Sequence, residues 1–204
     1  MNTVPMTLKD IYQLAKSVMM NNGCDKPNAE ALADIIMRAE RDGSHSHGLF
    51  RVAGYVKALR SGKVDGKAKP EIEKITPAII KVHGNGCFAP IAQSLGLPTL
   101  VESTKKVGIG ALSLTGIHHF AALWPETEYL ADNGLVGIAC TAYMPSVAPA
   151  GSKTALFGTN PISFNAFQVC GLLIAFFNLA GDGLPFAIIS ACISLPILTV
   201  NSFA

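Results

Sequence analysis

Hydrophobic residues recur at helical spacing through the first part of the chain, and the rhythm changes after residue 70. Leu8, Ile11, Leu14, Ala15 and Val18 fall on one helical face. Thr7, with Asp10 three residues on, forms a capping-box pair with Asp in place of the usual Glu or Gln, and Gly23 can close the helix. A second helix is predicted from Pro27, burying Leu32, Ile35, Ile36 and Ala39 and ending at Gly43. A third covers about residues 49–59, with Phe50, Ala53, Val56 and Leu59 as its inner face. Residues 61–70 are rich in Gly and Lys and read as a loop. Beyond them, residues 71–75 alternate like an edge strand and 78–82 like a short strand. Residues 91–106 suit a helix kinked or restarted at Pro98, 110–114 a strand, 121–133 a helix and 135–142 a strand. Strands alternating with helices indicate an α/β domain behind an N-terminal helical segment.

Composition narrows the functional classes. The chain has 204 residues, is half hydrophobic and 15% charged, and carries a net charge of +2. That balance offers no basic footprint for nucleic acid. The first ten residues lack a basic stretch followed by an apolar run, so they do not read as a signal peptide. Five widely spaced cysteines without a C-x-x-C pair read as reduced thiols of a cytoplasmic protein, with no metal site. Charge is unevenly spread. All 16 Lys and Arg residues precede Gly158, and from Asn165 to Ala204 the only charged side chain is Asp182.

Candidate chemistry concentrates in three segments. The first is Arg41-Asp-Gly-Ser-His-Ser-His-Gly-Leu-Phe-Arg51, between two predicted helices. His47 suits a general acid because its ordinary pKa is near neutrality. Ser46 could orient it, and Arg51, four residues on, could clamp a carboxylate in a bidentate pair. The same pattern also suits a polar helix–helix turn in which Ser44 or Ser46 is an N-cap and the histidines are solvated. The second segment, residues 115–125, follows a strand and precedes a helix, where backbone N–H groups can receive a phosphate. It equally suits a strand-to-helix turn with Phe120 and Trp124 packed in the core. The third, Phe157-Gly-Thr-Asn-Pro-Ile162, is a loop offering Thr159 and Asn160 as polar contacts. Gly84-Asn-Gly-Cys-Phe-Ala89 matches a loose dinucleotide fingerprint, but also reads as a plain glycine turn.

Taken together, Gly43-Ser-His-Ser-His-Gly-Leu-Phe-Arg51, His118-His-Phe-Ala-Ala-Leu-Trp-Pro125 and Phe157-Gly-Thr-Asn-Pro-Ile162 resemble successive blocks of the malate/L-lactate dehydrogenase-like oxidoreductases. The resemblance spans residues 7–164. The second block is most similar to the version found in Δ1-piperideine-2-carboxylate/Δ1-pyrroline-2-carboxylate reductases. It implies a nicotinamide-binding α/β domain that is not a Rossmann fold, using NADPH by preference or NADH. By the same resemblance, His47 is the proton donor and Ser46 its relay partner. Arg51 and Thr159 contact the substrate, and His119, Phe120, Ala121, Ala122 and Leu123 contact the dinucleotide. The implied reaction is reduction of a cyclic imino acid or a related 2-oxo acid by a cytoplasmic homodimer. A malate- or lactate-type 2-hydroxy-acid dehydrogenase is the alternative.

The chain departs from that family after the third block. An Asp-x-Ala-(Ser/Thr) segment and a Gly-Gly-His-Lys-Gly segment, which complete the cofactor site and support the histidine, are missing. Three parts are therefore expected: a helical region with the catalytic motif over 1–75, a partial cofactor-binding α/β domain over 76–164, and a non-family apolar tail over 165–204. The abrupt loss of charge is what a shift of reading frame produces. An inactive fragment and a small membrane-anchored binding protein are competing readings. The second would use residues 165–204, within which 184–200 are free of charge but interrupted by Pro185 and Pro196. A truncated α/β layer is also expected to expose apolar surface and to aggregate.

Overall fold

Local chemistry accounts for the three helices that open the fold. The computed structural model describes residues 4–118 and 121–166, together with the backbone of 197–201. Helix α1 spans Leu8–Asn21, and its capping box is formed: Thr7 Oγ1 accepts from the Asp10 N–H at 3.1 Å, while Asp10 Oδ2 accepts from the Thr7 N–H at 3.3 Å. Helix α2, Lys26–Arg41, starts from Asp25, whose carboxylate accepts from the Asn28 N–H, with Pro27 in the first turn. Residues His45–His47 and Leu49–Arg51 form two short 3-10 turns, and α3 follows over Val52–Arg60.

The inner face of α3 differs from the sequence expectation. Phe50 is 77% exposed and Ala53 is also exposed, whereas Tyr55 and Ala58 are buried. A 3-10 turn advances about 120° per residue, where an α-helix advances about 100°. The phase counted from Phe50 is therefore reset at Val52.

The sheet begins with β1 (Glu71–Lys74) on one edge, antiparallel to β2 (Ile79–Phe88). Helix α4 (Ala89–Val107) leads to β3 (Ala111–His118), and α5 (Trp124–Asp132) leads to β4 (Gly137–Thr141) and β5 (Ile162–Asn165). A strand over Ile197–Asn201, β6, completes the order β1-β2-β3-β6-β4-β5. The four inner strands are mutually parallel and both edges are antiparallel. Mixed α/β architecture with an N-terminal helical layer is thus what the chain adopts.

Several elements run longer or start later than their sequence pattern indicates. The Gly84-Asn-Gly run is neither a phosphate loop nor a free turn. It is a bulge inside β2, where the register slips between His83 and Cys87, and Asn85 and Gly86 take positive φ values of 53° and 82°. Gly84 itself is required by space, since a Cβ there would lie 2.5 Å from Ile117. Helix α4 runs unbroken, with Pro98 on its exposed side. Helix α5 starts at Trp124 and not at Ala121, because Pro125 belongs in a first turn and residues 121–123 pack as irregular chain.

Two cores meet at one place. Ile80, Val82, Leu112 and Leu114 pack with Leu97, Leu100 and Val101 of α4 and Leu130 of α5. The helical core joins Ile11, Ala15, Met19, Leu32, Ile36 and Tyr55 to Phe88, at the end of β2, and to Ala121, just beyond β3. The opposite face of the sheet carries half-buried or exposed Lys81, Ser113, Ile138, Ile162 and Phe164. Residues 167–196 and 202–204, most of the expected apolar tail, lie outside the described residues; Asn165 itself ends β5. No helix among the described residues is long and apolar enough to cross a membrane.

Candidate active site

The junction of the two cores holds the histidine motif. Helix α2 ends at Arg41, and Gly43, with φ of 70°, turns the chain sharply into the His45–His47 turn. There His47 Nδ1 lies 2.9 Å from Ser46 Oγ and 3.4 Å from Ser44 Oγ. With Nδ1 engaged by hydroxyls, Nε2 is the nitrogen left to meet a reacting atom. Arg51 Nε donates to the Ser46 carbonyl at 2.8 Å, so the guanidinium folds back over the same turn. The structure therefore brings Ser46, His47 and Arg51 together. His47 loses basicity chiefly through burial, and the positive charge of Arg51 lowers its pKa further.

Helix α5 supplies the facing wall. The Trp124 ring meets His47 edge-on, with centroids 6.3 Å apart and planes at 73°. Its Nε1–H donates to Asp42 Oδ2 at 2.8 Å. Asp42 also pairs with Arg41, which holds its carboxyl below the ordinary range, and Arg41 reaches Glu128 of α5 at 2.9 Å. Arg38 pairs with the same Glu128 at 3.1 Å. The end of α2 is thus clamped to the start of α5, which fixes the two motif segments relative to each other. These links contribute through their number and shared geometry more than singly, since exposed pairs are individually worth little.

A row of rings carries the site into the fold. Tyr55 packs edge-on against Phe88 at 5.3 Å, and Phe88 against His118 at 6.1 Å. Burial, and then the charge of Lys63, lowers the pKa of His118. His119 and Phe120 lie outside the described residues. Ala121, Ala122 and Leu123 are buried in the connection between β3 and α5. This connection leaves the carboxyl end of a parallel strand and enters a helix N-terminus, the place where open α/β sheets receive nucleotide phosphates. Two alanines there leave only methyl groups around the backbone. Their side chains are covered by the fold itself, Ala121 within the helical core.

Thr159 occupies an exposed position in the loop between β4 and β5. That loop is pinned by Asn160, which takes a positive φ of 40° and accepts from the Tyr143 N–H at 3.0 Å. Among the described residues no hydrogen bond joins Thr159 to His47. Sequence spacing did not single out Glu40, Asp42 or Glu128. Each reads as ordinary helix or helix-end surface charge, and only the fold shows that they converge on the segment around the histidine motif.

Comparison with known proteins bears on the motif resemblance directly. A model of the malate/L-lactate dehydrogenase family matches residues 6–167, a span containing all three motif blocks. The chain belongs to the malate/L-lactate dehydrogenase family. It is 41% identical over 163 residues to Delta(1)-pyrroline-2-carboxylate reductase 2 of Burkholderia multivorans, covering 80% of this chain and 48% of that protein. It is 38% identical over 174 residues to the Delta(1)-pyrroline-2-carboxylate/Delta(1)-piperideine-2-carboxylate reductase of Pseudomonas syringae pv. tomato, covering 85% and 51%. The crystal structure of delta1-piperideine-2-carboxylate reductase from the same organism superposes with a TM-score of 0.76 at 39% identity, covering 80% of this chain and 49% of that one. Malate dehydrogenase from Entamoeba histolytica superposes with a TM-score of 0.74 at 26% identity, covering 80% and 45%. The chain spans about half the length of the family members it matches. The family match ends at residue 167, inside the stretch between Lys153 and Asp182 that carries no charged side chain.

Proposed function

We propose that this malate/L-lactate dehydrogenase family chain carries the proton-donating and carboxylate-binding half of a site that reduces a cyclic imino acid. The substrate is Δ1-pyrroline-2-carboxylate or Δ1-piperideine-2-carboxylate, or a related 2-oxo acid, with NADPH as preferred reductant and NADH as the second choice. The observation that carries this reading is the Ser46–His47–Arg51 arrangement, with Nδ1 of the histidine held 2.9 Å from the Ser46 hydroxyl and the guanidinium over the same turn.

The chemistry follows from these groups. A bound nicotinamide supplies a hydride to C2 of the C=N bond. Arg51 takes the substrate carboxylate in a charge-assisted, geometrically restrictive pair and so orients C2. His47, as imidazolium, delivers the proton from Nε2 to the ring nitrogen as that nitrogen gains the electron pair of the C=N bond. Ser46 holds Nδ1, which keeps the ring from swinging. Trp124 walls off one side, and Ala121, Ala122 and Leu123, with His119 and Phe120, are assigned to the dinucleotide on the family motif. Thr159 is assigned to the substrate side on the family motif. The reading also carries a cytoplasmic homodimer, which light scattering can test.

Loss of NADPH absorbance on adding either imino acid tests the proposal. Turnover of the imines supports it. Turnover of oxaloacetate or pyruvate alone moves the assignment to a 2-hydroxy-acid dehydrogenase. Absence of turnover and of any nucleotide binding identifies the chain as an inactive fragment.

A further inference from the structure

The turn bearing His47 is closed by a carboxylate that belongs to neither motif residue set. Glu40, in the last turn of α2, is largely buried, with 14% of its side chain exposed. Its Oε1 accepts from the Leu49 N–H at 2.8 Å, and its Oε2 lies 2.6 Å from His45 Nδ1. One carboxylate therefore spans the two ends of the segment that contains Ser46 and His47. The fit is tight enough to dictate a neighbouring residue. A Cβ at Gly48 would fall 2.1 Å from Glu40 Oε1 and 2.5 Å from its carboxyl carbon. Glycine at 48 therefore leaves the room that the carboxylate occupies.

We propose that Glu40 is the positioning residue of this site: its carboxylate ties His45 to Leu49 and thereby fixes the orientation of the His47 imidazole. The role is mechanical. A turn of two 3-10 segments has few hydrogen bonds of its own, since such turns are short and poorly aligned. Glu40 adds two bonds at the points where the chain enters and leaves. Without them the Ser46 hydroxyl and the His47 ring lose their common frame. The inference rests on reading His47 as the proton donor, but its test does not require turnover.

The test is long-range proton–nitrogen NMR on the 204-residue chain with labelled histidine, which reports the tautomer of each imidazole. Wild type and Glu40→Gln should both show one dominant His47 tautomer, because a glutamine oxygen can still accept from Leu49 while its amide can donate to His45. Glu40→Ala should show His47 as an averaged mixture of two tautomers. Gly48→Ala should mimic it, since the added methyl displaces the carboxylate. Adding Gly48→Ala to Glu40→Ala should then change His47 little further. Should Glu40→Ala lose its native circular dichroism, Glu40→Asp takes its place, because one methylene less cannot span both contacts. A His47 signal in the truncated variant indistinguishable from wild type overturns the proposal, as does a folded Glu40→Gln that fails to retain the single tautomer. If Glu40→Ala releases His47 as expected and no imino acid is reduced by the parent chain, the reductase assignment fails and the role of Glu40 stands.

Discussion

Glu126 offers the sharpest test of how the helix layer packs. It sits in the first turn of α5, is only 4% exposed, and borders a cavity of about 240 Å³ between α2, α4 and α5. Its Oε1 accepts from Gln93 Nε2, and its Oε2 is buried with no partner among the described residues. Burial pushes its pKa well above the ordinary carboxylate range, and the bonds from its own N–H and from Gln93 offset this only in part. The unfolded chain releases that proton above about pH 4.3, while the fold retains it. The unfolded state then binds fewer protons, so stability is full below about pH 4.3 and falls as pH rises toward the folded pKa. The slope is at most about 1.4 kcal/mol per pH unit, or up to roughly 3 kcal/mol between pH 5 and pH 7. Glu126→Gln keeps the bond from Gln93 and removes the titration. Its second amide proton lacks a partner, which costs about 1–3 kcal/mol at every pH. The informative quantity is therefore the change with pH. Thermal melts should show the variant gaining on wild type by up to about 6–12 °C between pH 5 and pH 7, at roughly 2–4 °C per kcal/mol for a chain of this size. Parallel pH profiles for the two proteins would refute the buried, protonated carboxyl.

Gly96→Ala in α4 should destabilise by about 1–3 kcal/mol in urea melts, although alanine is ordinarily the better helix former. Its Cβ would meet Leu112 at 2.9 Å and Val82 at 3.0 Å, and a rise in midpoint would show that the helix can lift off the sheet. Trp124→Phe keeps an aromatic ring beside His47 but removes the N–H donated to Asp42, so a loss of about 0.5–1.5 kcal/mol is expected in thermal unfolding. No change would mean that this link is not formed in solution. If the imine is turned over, His47→Gln should lower kcat by about 10²–10⁴-fold. Arg51→Lys should instead raise KM about tenfold or more with a smaller effect on kcat, because an ammonium cannot pair in a bidentate fork. Equal effects of the two substitutions on kcat would reverse the assigned roles.

The parts of the fold legible from sequence are those decided by neighbours along the chain. The Thr7–Asp10 capping box, the start of α2 near Pro27 and the strand expected over 135–142 are local, and each appears within two residues of where its pattern puts it. What escaped depends on contacts distant in sequence. Residues 83–87 carry two glycines that read as a turn, yet pairing with β3 draws them into a bulged strand. Phe50 satisfies a helical period but lies on a 3-10 turn that rotates it to the surface. The candidate site divides in the same way. Ser46, His47 and Arg51 lie within six residues and announce themselves. Glu40 acts on the motif from nine residues before Leu49, and Glu128 reaches Arg41 across 87 residues. Nothing in their spacing distinguishes them from surface charge.

The coupling between His47 and Arg51 gives the half-site a direction. A proton donor must be charged before it can donate, yet burial and the guanidinium both hold the His47 pKa below its ordinary value. Near neutral pH the imidazole in the empty site is therefore mostly neutral, and Arg51 is the dominant charge over the turn. A substrate carboxylate paired with Arg51 cancels part of that positive field, which favours the imidazolium in turn. Binding and protonation then reinforce each other, because the anion that fills the clamp also removes the repulsion that kept the donor unloaded. By linkage the same coupling runs backward: a protonated His47 adds a second positive charge near Arg51 and draws the carboxylate in. A ligand without a carboxylate gains neither effect. On the proposed reductase reading, a 2-carboxylated imine is favoured twice over, first by geometry at Arg51 and again by the charge state it induces at His47.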